Sequence, residues 1–270
     1  MTSDRFSLTG KVAIVTGGTG ILGSASCRAL SEHGARVVVL DRDQEACRAL
    51  AGELSESGNS ALGLAVDIRN KSAIDEMVKK VVETFGRIDV LHNNAAWKSE
   101  DLSKFFAPFE TYDLETWRDV FSVNVDGAMM MAQACGEQMI KQQSGGSIIN
   151  VCSIYGISAP DQRIYEGSEY NGRPINTPGS YCASKAALVG LSQYLATYWG
   201  KDKIRVNILT PGGVESGQNQ TFQDNYNRRV PLGRMASKED LMGALVFLAS
   251  DASQYVTGQN LVVDGGLTCW

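Results

Sequence analysis

Val12-Ala-Ile-Val-Thr-Gly-Gly-Thr-Gly-Ile-Leu-Gly23 runs from an unbroken apolar stretch into a cluster of glycines. An amphipathic segment follows to His33, and a second apolar stretch, Arg36-Val-Val-Val-Leu40, ends on Asp41. A short β-branched run without alternation reads as a strand buried on both faces, and apolar residues at three- and four-residue spacing read as a helix. Glycines between the two allow a sharp turn and a close approach of backbone to phosphate, while the free N–H groups of the helix start favour an anion. The stretch therefore predicts strand, phosphate-binding turn and helix, with an acid at the end of the next strand.

The same alternation continues outward. Ala61–Val66, Ile88–His92, Ser147–Val151, Ile204–Leu209 and Asn260–Val263 read as five more buried strands, and Ala73–Phe85, Trp117–Ile140 and Tyr181–Trp199 as helices between them. Seven strands alternating with helices predict a single-domain α/β protein over residues 1–270, a doubly wound Rossmann fold with a seven-stranded parallel sheet. Ligands of such sheets sit beyond the carboxyl ends of the strands, so the residues there carry the functional argument. One segment breaks the pattern: residues 156–179 hold Pro160, Gly167, Gly172, Pro174 and Pro178 and read as a long functional loop.

Composition narrows the partners. A net charge of -5 gives no basic face for nucleic acid or an anionic membrane, which leaves a small dissolved substrate. The segment from Met1 to Lys11 lacks an apolar secretion core and no apolar run is long enough to span a bilayer, so the expected compartment is the cytoplasm. Six scattered cysteines read as reduced thiols, and two histidines, His33 and His92, offer no metal-binding spacing, so no metal is expected.

At the nucleotide end, Gly17, Thr19, Gly20, Ile21 and Leu22 form the turn and the helix start. Asp41 can accept hydrogen bonds from ribose hydroxyls and would repel a 2′-phosphate, which favours NAD over NADP, although the neighbouring Arg42 is of the type that holds such a phosphate. Asp67 and Ile68 follow the third strand, where Asp67 is placed for an adenine amino group or simply caps the next helix. Asn94 and Ala95, within Asn93-Asn-Ala-Ala96, bring backbone close to the same ligand.

At the other end, Tyr181 and Lys185 stand four apart on one helix face, where side chains meet. A cation about 4 Å from a phenol favours phenolate by roughly 4 kcal/mol at an effective dielectric near 20, enough to bring tyrosine toward acid–base work at neutral pH. Alone, such a pair is as readily a packed Tyr and a solvated Lys. Ser153, at the carboxyl end of the fifth strand, is placed to hold a substrate oxygen against the phenol. Asn124 interrupts an apolar helix and reads either as holder of a water beside Lys185 or as a core amide bonded to backbone.

Together these residues resemble the short-chain dehydrogenase/reductase family from Thr16 through Val263, in Tyr181-Cys-Ala-Ser-Lys185, Ser153, Asn124, Asn93-Asn-Ala-Ala96 and Pro211-Gly-Gly-Val214. The resemblance implies hydride exchange with a nicotinamide, Tyr181 as acid and base, Lys185 also gripping the nicotinamide ribose, Ser153 orienting substrate and Asn124 sustaining a proton relay. It further implies that Pro211, Gly212 and Val214 border the cofactor, and that the protein is a homotetramer. Two departures stand out: Ile21 occupies a position where glycine is usual, and Ser153 and Tyr181 are 28 positions apart, an unusually long interval. The extra loop looks like that of sugar-modifying members in flagellin-modification and nonulosonic-acid pathways. Its Gln162, Arg163, Tyr165, Glu166 and Asn171 are polar, so a polyol, sugar or sugar acid is the expected substrate, touched by Ser153, Tyr155, Arg163, Tyr165 and Tyr181. The alternatives are an NAD-dependent sugar epimerase or dehydratase of surface-glycan synthesis and a non-catalytic dinucleotide-binding protein.

Overall fold

A computed structural model describes residues 4–97, 99, 101–170 and 172–270. In chain order the elements are β1 (Val12–Thr16), α1 (Ile21–Glu32), β2 (Arg36–Asp41), α2 (Gln44–Glu56), β3 (Ala61–Ala65), α3 (Lys71–Phe85), β4 (Val90–Asn93), α4 (Leu102–Phe105), α5 (Leu114–Phe121), α6 (Ala128–Lys141) and β5 (Gly146–Val151). They continue with β6 (Glu169–Tyr170), β7 (Arg173–Pro174), α7 (Gly179–Tyr198), β8 (Ile204–Pro211), α8 (Gln220–Asn227), α9 (Met242–Ala249) and β9 (Asn260–Val263).

Seven strands form one sheet in the order β3-β2-β1-β4-β5-β8-β9, every neighbouring pair parallel. The chain builds outward from β1 to β3, then returns to the other side of β1 with β4. That reversal opens a crevice above the carboxyl ends of β1 and β4, where doubly wound sheets bind ligands.

Both faces of the sheet are covered, which explains why its strands lack polar alternation. Val12, Ile14, Val38, Leu40, Leu91 and Ile148 pack on one face with Met131, Met139 and Leu195 of α6 and α7. Ala13, Val15, Val37, Val39, Val90 and Ile149 pack on the other with Cys27, Leu30, Leu50 and Leu245 of α1, α2 and α9. At about 1.5–3 kcal/mol for each fully buried aliphatic side chain, these two layers are the main source of stability.

The segment expected as one helix over Trp117–Ile140 is two. A π-helical turn, Ser122–Gly127, joins α5 to α6 and carries Asn124. Gly127 has no side chain because a Cβ there would lie 2.8 Å from the Ile68 side chain. The loop after Ser153 is also more ordered than its prolines suggest. It contains a 3-10 turn at Gln162–Tyr165 and the antiparallel β6–β7 hairpin, and Ile164 packs with Phe222, Tyr226 and Met235 beside α8. Asn171 lies outside the described residues. Among the described residues no helix is long and apolar enough to cross a membrane.

Candidate active site

The glycine turn after β1 is shaped by close contact. Gly17 adopts φ +63°, and a Cβ there would stand 2.9 Å from the Ala95 backbone; one on Gly23 would fall 1.9 Å from the Gly17 carbonyl oxygen. Gly20 is under less constraint, since a Cβ on it would meet its nearest neighbour only at 3.4 Å. Asn94 supports the turn, its side-chain amide donating to the Thr16 and Gly17 carbonyls while its backbone N–H donates to Thr16 Oγ1.

The first turns of α2 and α3 are capped by Asp43 and Asn70, whereas α1 begins at Gly20 with no side-chain cap. Its free N–H groups and positive dipole end suit a pyrophosphate. Beside it lies a cavity of about 410 Å³ bordered by Gly17, Gly20, Ile21, Leu22, Asp41 and Arg42 and, farther along, by Asp67, Ile68, Asn94 and Ala95. These residues fit a dinucleotide: an uncapped helix start for phosphate, acids for hydroxyl or amino donors, and Ile68 and Val123 for a flat apolar face.

Thr19 does not border this cavity. Its backbone N–H and hydroxyl both donate to Asp41 Oδ2, at 3.1 and 2.6 Å, and hold the carboxylate at the end of β2. Asp67 is likewise engaged: Arg69 donates to both its oxygens and keeps the carboxyl below its ordinary range. Arg69, not singled out in the sequence, borders the cavity with Arg42.

Ser153, Tyr181, Lys185 and Asn124 converge above β5. Ser153 follows the strand and accepts from the Tyr155 N–H at 3.2 Å, and its hydroxyl is also hydrogen-bonded with the Tyr181 phenol. Tyr181 and Lys185 lie on the first turns of α7. The Lys185 side chain is buried and donates to the Val151 carbonyl at 2.7 Å. Asn124 is fully buried; it accepts from the Trp97 N–H at 2.8 Å and donates to Ser184 Oγ at 2.9 Å, tying the π turn to α7. Its carbonyl and one amide N–H thus have protein partners.

Burial acts on both members of the Tyr–Lys pair. Burial pushes the Tyr181 phenol up to about 12, with a hydrogen bond to Ser153 acting the other way. Burial also pushes the Lys185 ammonium down to about 8. The ammonium lies 5.8 Å from the centroid of the Tyr181 ring and is turned to a carbonyl, so desolvation outweighs its attraction for a phenolate. At neutral pH the phenol holds its proton, which makes Tyr181 a proton donor to an alkoxide.

The same burial ties stability to pH. Because the folded state holds fewer protons on Lys185 than the unfolded chain, stability rises with pH from about 8 to the unfolded value of about 10.5, on the order of 3 kcal/mol across that window. The raised Tyr181 value opposes this above pH 10, and the thiols of Cys27, Cys47 and Cys135, pushed up by burial, oppose it from about pH 9. The Lys185 contribution is the difference between urea melts of the wild type and of Lys185→Met, which should shift in favour of the wild type as pH rises from 7.5 to 10; parallel curves would contradict it.

A second cavity, about 420 Å³, opens beside Ser153 and Tyr181. Tyr155 and Tyr165 border it, as do Pro211, Gly212 and Val214 at the end of β8. Arg163 does not. Its side chain is 81% exposed and paired with Asp161, which a second cation, Arg229, also grips. Asp161 caps the Gln162–Tyr165 turn and thereby turns Arg163 outward, away from the role expected of it. Gln162 and Glu166 are also exposed and off this wall. In their place stand Trp97, Phe105, Phe106, Asn176, Thr177 and Phe222, none of them singled out by sequence. The adjacent Phe105-Phe106 and the four-residue spacing of Phe222 and Tyr226 were the available signals.

The sequence of this chain matches the family model described as Enoyl-(Acyl carrier protein) reductase over residues 18–268. It is 34% identical over 268 residues to the D-threitol dehydrogenase of Mycolicibacterium smegmatis, covering 97% of this chain and 95% of that protein. Its fold is similar to the crystal structure of a gluconate 5-dehydrogenase from Burkholderia cenocepacia J2315 in complex with NADP and tartrate, with a TM-score of 0.87, 32% identity and coverage of 99% and 98% of the two chains. A short-chain type dehydrogenase/reductase from Mycobacterium marinum is similar over 99% and 98% of the two chains, with a TM-score of 0.85 and 31% identity. Likeness at this level along the full length of both sequence and fold leaves one conclusion: the protein belongs to the short-chain dehydrogenase/reductase family.

Proposed function

We propose that this protein interconverts an alcohol and a ketone on a polyol, sugar or sugar acid, using NAD. The observation that carries the reading is the placement of Ser153 and Tyr181 together at the edge of a cavity, one strand end away from the nucleotide crevice. When bound, the nicotinamide supplies or accepts the hydride. The chain's own groups manage the oxygen. Ser153 turns its hydroxyl from Tyr181 to the substrate oxygen, and Tyr181 protonates that oxygen in reduction or takes its proton in oxidation. Lys185, charged below about pH 8, favours proton loss from the phenol, while Asn124 fixes the helix that carries both. Oxidation therefore gains from rising pH, since Tyr181 rests protonated.

A panel of polyols, sugars and sugar acids, followed by nicotinamide absorbance, tests the reaction. Turnover of none of them would overturn the reading. Asp41 supports NAD, and Gly17, Gly20, Ile21 and Leu22 with Asn94 and Ala95 would hold the phosphates and flanking sugars. The expected result is a kcat/KM at least about tenfold higher with NAD than with NADP, narrowed in Asp41→Ser, because a carboxylate facing a 2′-phosphate costs at least about 1.4 kcal/mol per tenfold. An NADP preference in the wild type would remove that role from Asp41.

The long Ser153-to-Tyr181 interval supports a second reading, a transient oxidation within epimerisation or dehydration of a surface-glycan sugar. Product formation without net NADH separates it from the first.

A further inference from the structure

The substrate cavity holds three hydroxyls in a row. Tyr165 OH donates to Tyr155 OH at 3.3 Å and is hydrogen-bonded to Thr177 Oγ1. Each hydroxyl has a single proton. With the Tyr165 proton directed to Tyr155, the Thr177 proton must go to Tyr165, so the chain runs from Thr177 through Tyr165 to Tyr155. The proton of Tyr155 is left over at the cavity end. Burial pushes both phenols up from their ordinary range, so neither ionises at working pH.

The remaining surface is aromatic and uncharged. Trp97, Phe105, Phe106 and Phe222 supply flat apolar faces, and among the described residues that border the cavity there is no Lys, Arg, His, Asp or Glu. Arg163 and Arg229 are both committed to Asp161. A carboxylate drawn into such a space loses its hydration and gains no cation from the described residues that border it, whereas a hydroxylated chain can lay its C–H edges on the rings and keep its hydroxyls bonded.

We infer that this site selects an uncharged polyol or sugar over a sugar acid, and that the Tyr155 hydroxyl is its hydrogen-bond donor to a substrate oxygen beyond the reacting carbon. The inference rests on the reaction proposed above. The relatives alone do not make the choice, since one is named for threitol and another for gluconate.

The test compares sorbitol with gluconate, matched in carbon number, at saturating NAD. Sorbitol should have the higher kcat/KM by at least about tenfold. Tyr155→Phe keeps the ring and removes the donor; it should lower kcat/KM for sorbitol by about three- to tenfold, the range of one neutral hydrogen bond, mostly through KM. It should leave 2-butanol, which has no second hydroxyl, within about twofold. Thr177→Val, which lets the chain reverse so that Tyr155 donates inward, should produce a smaller loss of the same kind. Lys98 follows Trp97 in sequence and lies outside the described residues, so Lys98→Ala serves as a control expected to leave the preference unchanged. Gluconate turned over better than sorbitol, whether or not Lys98→Ala abolishes it, would overturn the inference while leaving the reaction intact. Equal losses on sorbitol and 2-butanol in Tyr155→Phe would remove Tyr155 from its role. Turnover of no polyol, sugar or sugar acid would overturn both this inference and the reaction beneath it.

Discussion

Tyr181→Phe should lower turnover on the order of 10³-fold while leaving dinucleotide affinity within a few-fold of wild type. The substitution removes one oxygen from a buried ring and leaves the packing of α7 in place. Lys185 keeps its bond to the Val151 carbonyl, and the nucleotide crevice, bordered by other residues, is untouched. What is lost is the phenol hydrogen-bonded with Ser153, and with it the proton donor for the substrate oxygen. The measurement is kcat with the best substrate of the panel, beside cofactor titration by fluorescence. Surviving turnover would show that another group moves the proton. Loss of both turnover and cofactor binding would point to misfolding, which circular dichroism would detect.

Gly23→Ala should be the most damaging single methyl group in the nucleotide site, and Gly20→Ala one of the mildest. The Gly23 methyl would have to occupy space 1.9 Å from the Gly17 carbonyl oxygen, and the obstacle is backbone on a turn already held by Asn94. The turn must shift, at about 1–3 kcal/mol of stability for overpacking, and the N–H groups of α1 move out of line with a phosphate. A loss of dinucleotide affinity on the order of 100-fold is expected. Gly20 has its nearest obstacle at 3.4 Å and φ of -70°, so alanine there should bind within a few-fold of wild type. Equal effects at the two positions would contradict the geometry.

The contrast between these glycines marks what could be read from sequence. Continuous apolar runs such as Val12–Thr16 and Arg36–Leu40 read as strands buried on two sides, so the parallel sheet followed from them, whereas its strand order came only with the fold. Tyr181, Lys185 and Ser153 were recognisable because helix spacing and strand ends fix where such side chains point. Which glycines are obligatory was not recognisable, because the collision at Gly23 depends on the path of the turn in space. The electrostatics of Tyr181 and Lys185 also escaped: spacing reports proximity, while their shifts come from burial by distant elements. Arg163 misled for a local reason. Its polarity suggested a substrate contact, yet Asp161, two residues earlier, pairs with it and turns it to solvent. The aromatic wall was hidden because Trp97, Phe105 and Phe222 come from three separate segments that meet only after folding.

The π turn at Ser122–Gly127 has a consequence for how this chain tolerates change in length. One residue more than an α-helix would use is taken up within that wide turn, so α6 still presents Met131, Cys135 and Met139 to the sheet. Deleting a residue from the turn would let it close into an ordinary α-helical turn with that apolar stripe still on the sheet, while displacing Asn124 from Trp97 and Ser184. Such a deletion would be felt at Asn124 rather than in the packing of α6. The placement of Asn124, and through Ser184 its tie to α7, is thus encoded partly in the number of residues in the turn, a quantity that a comparison of side chains alone does not register.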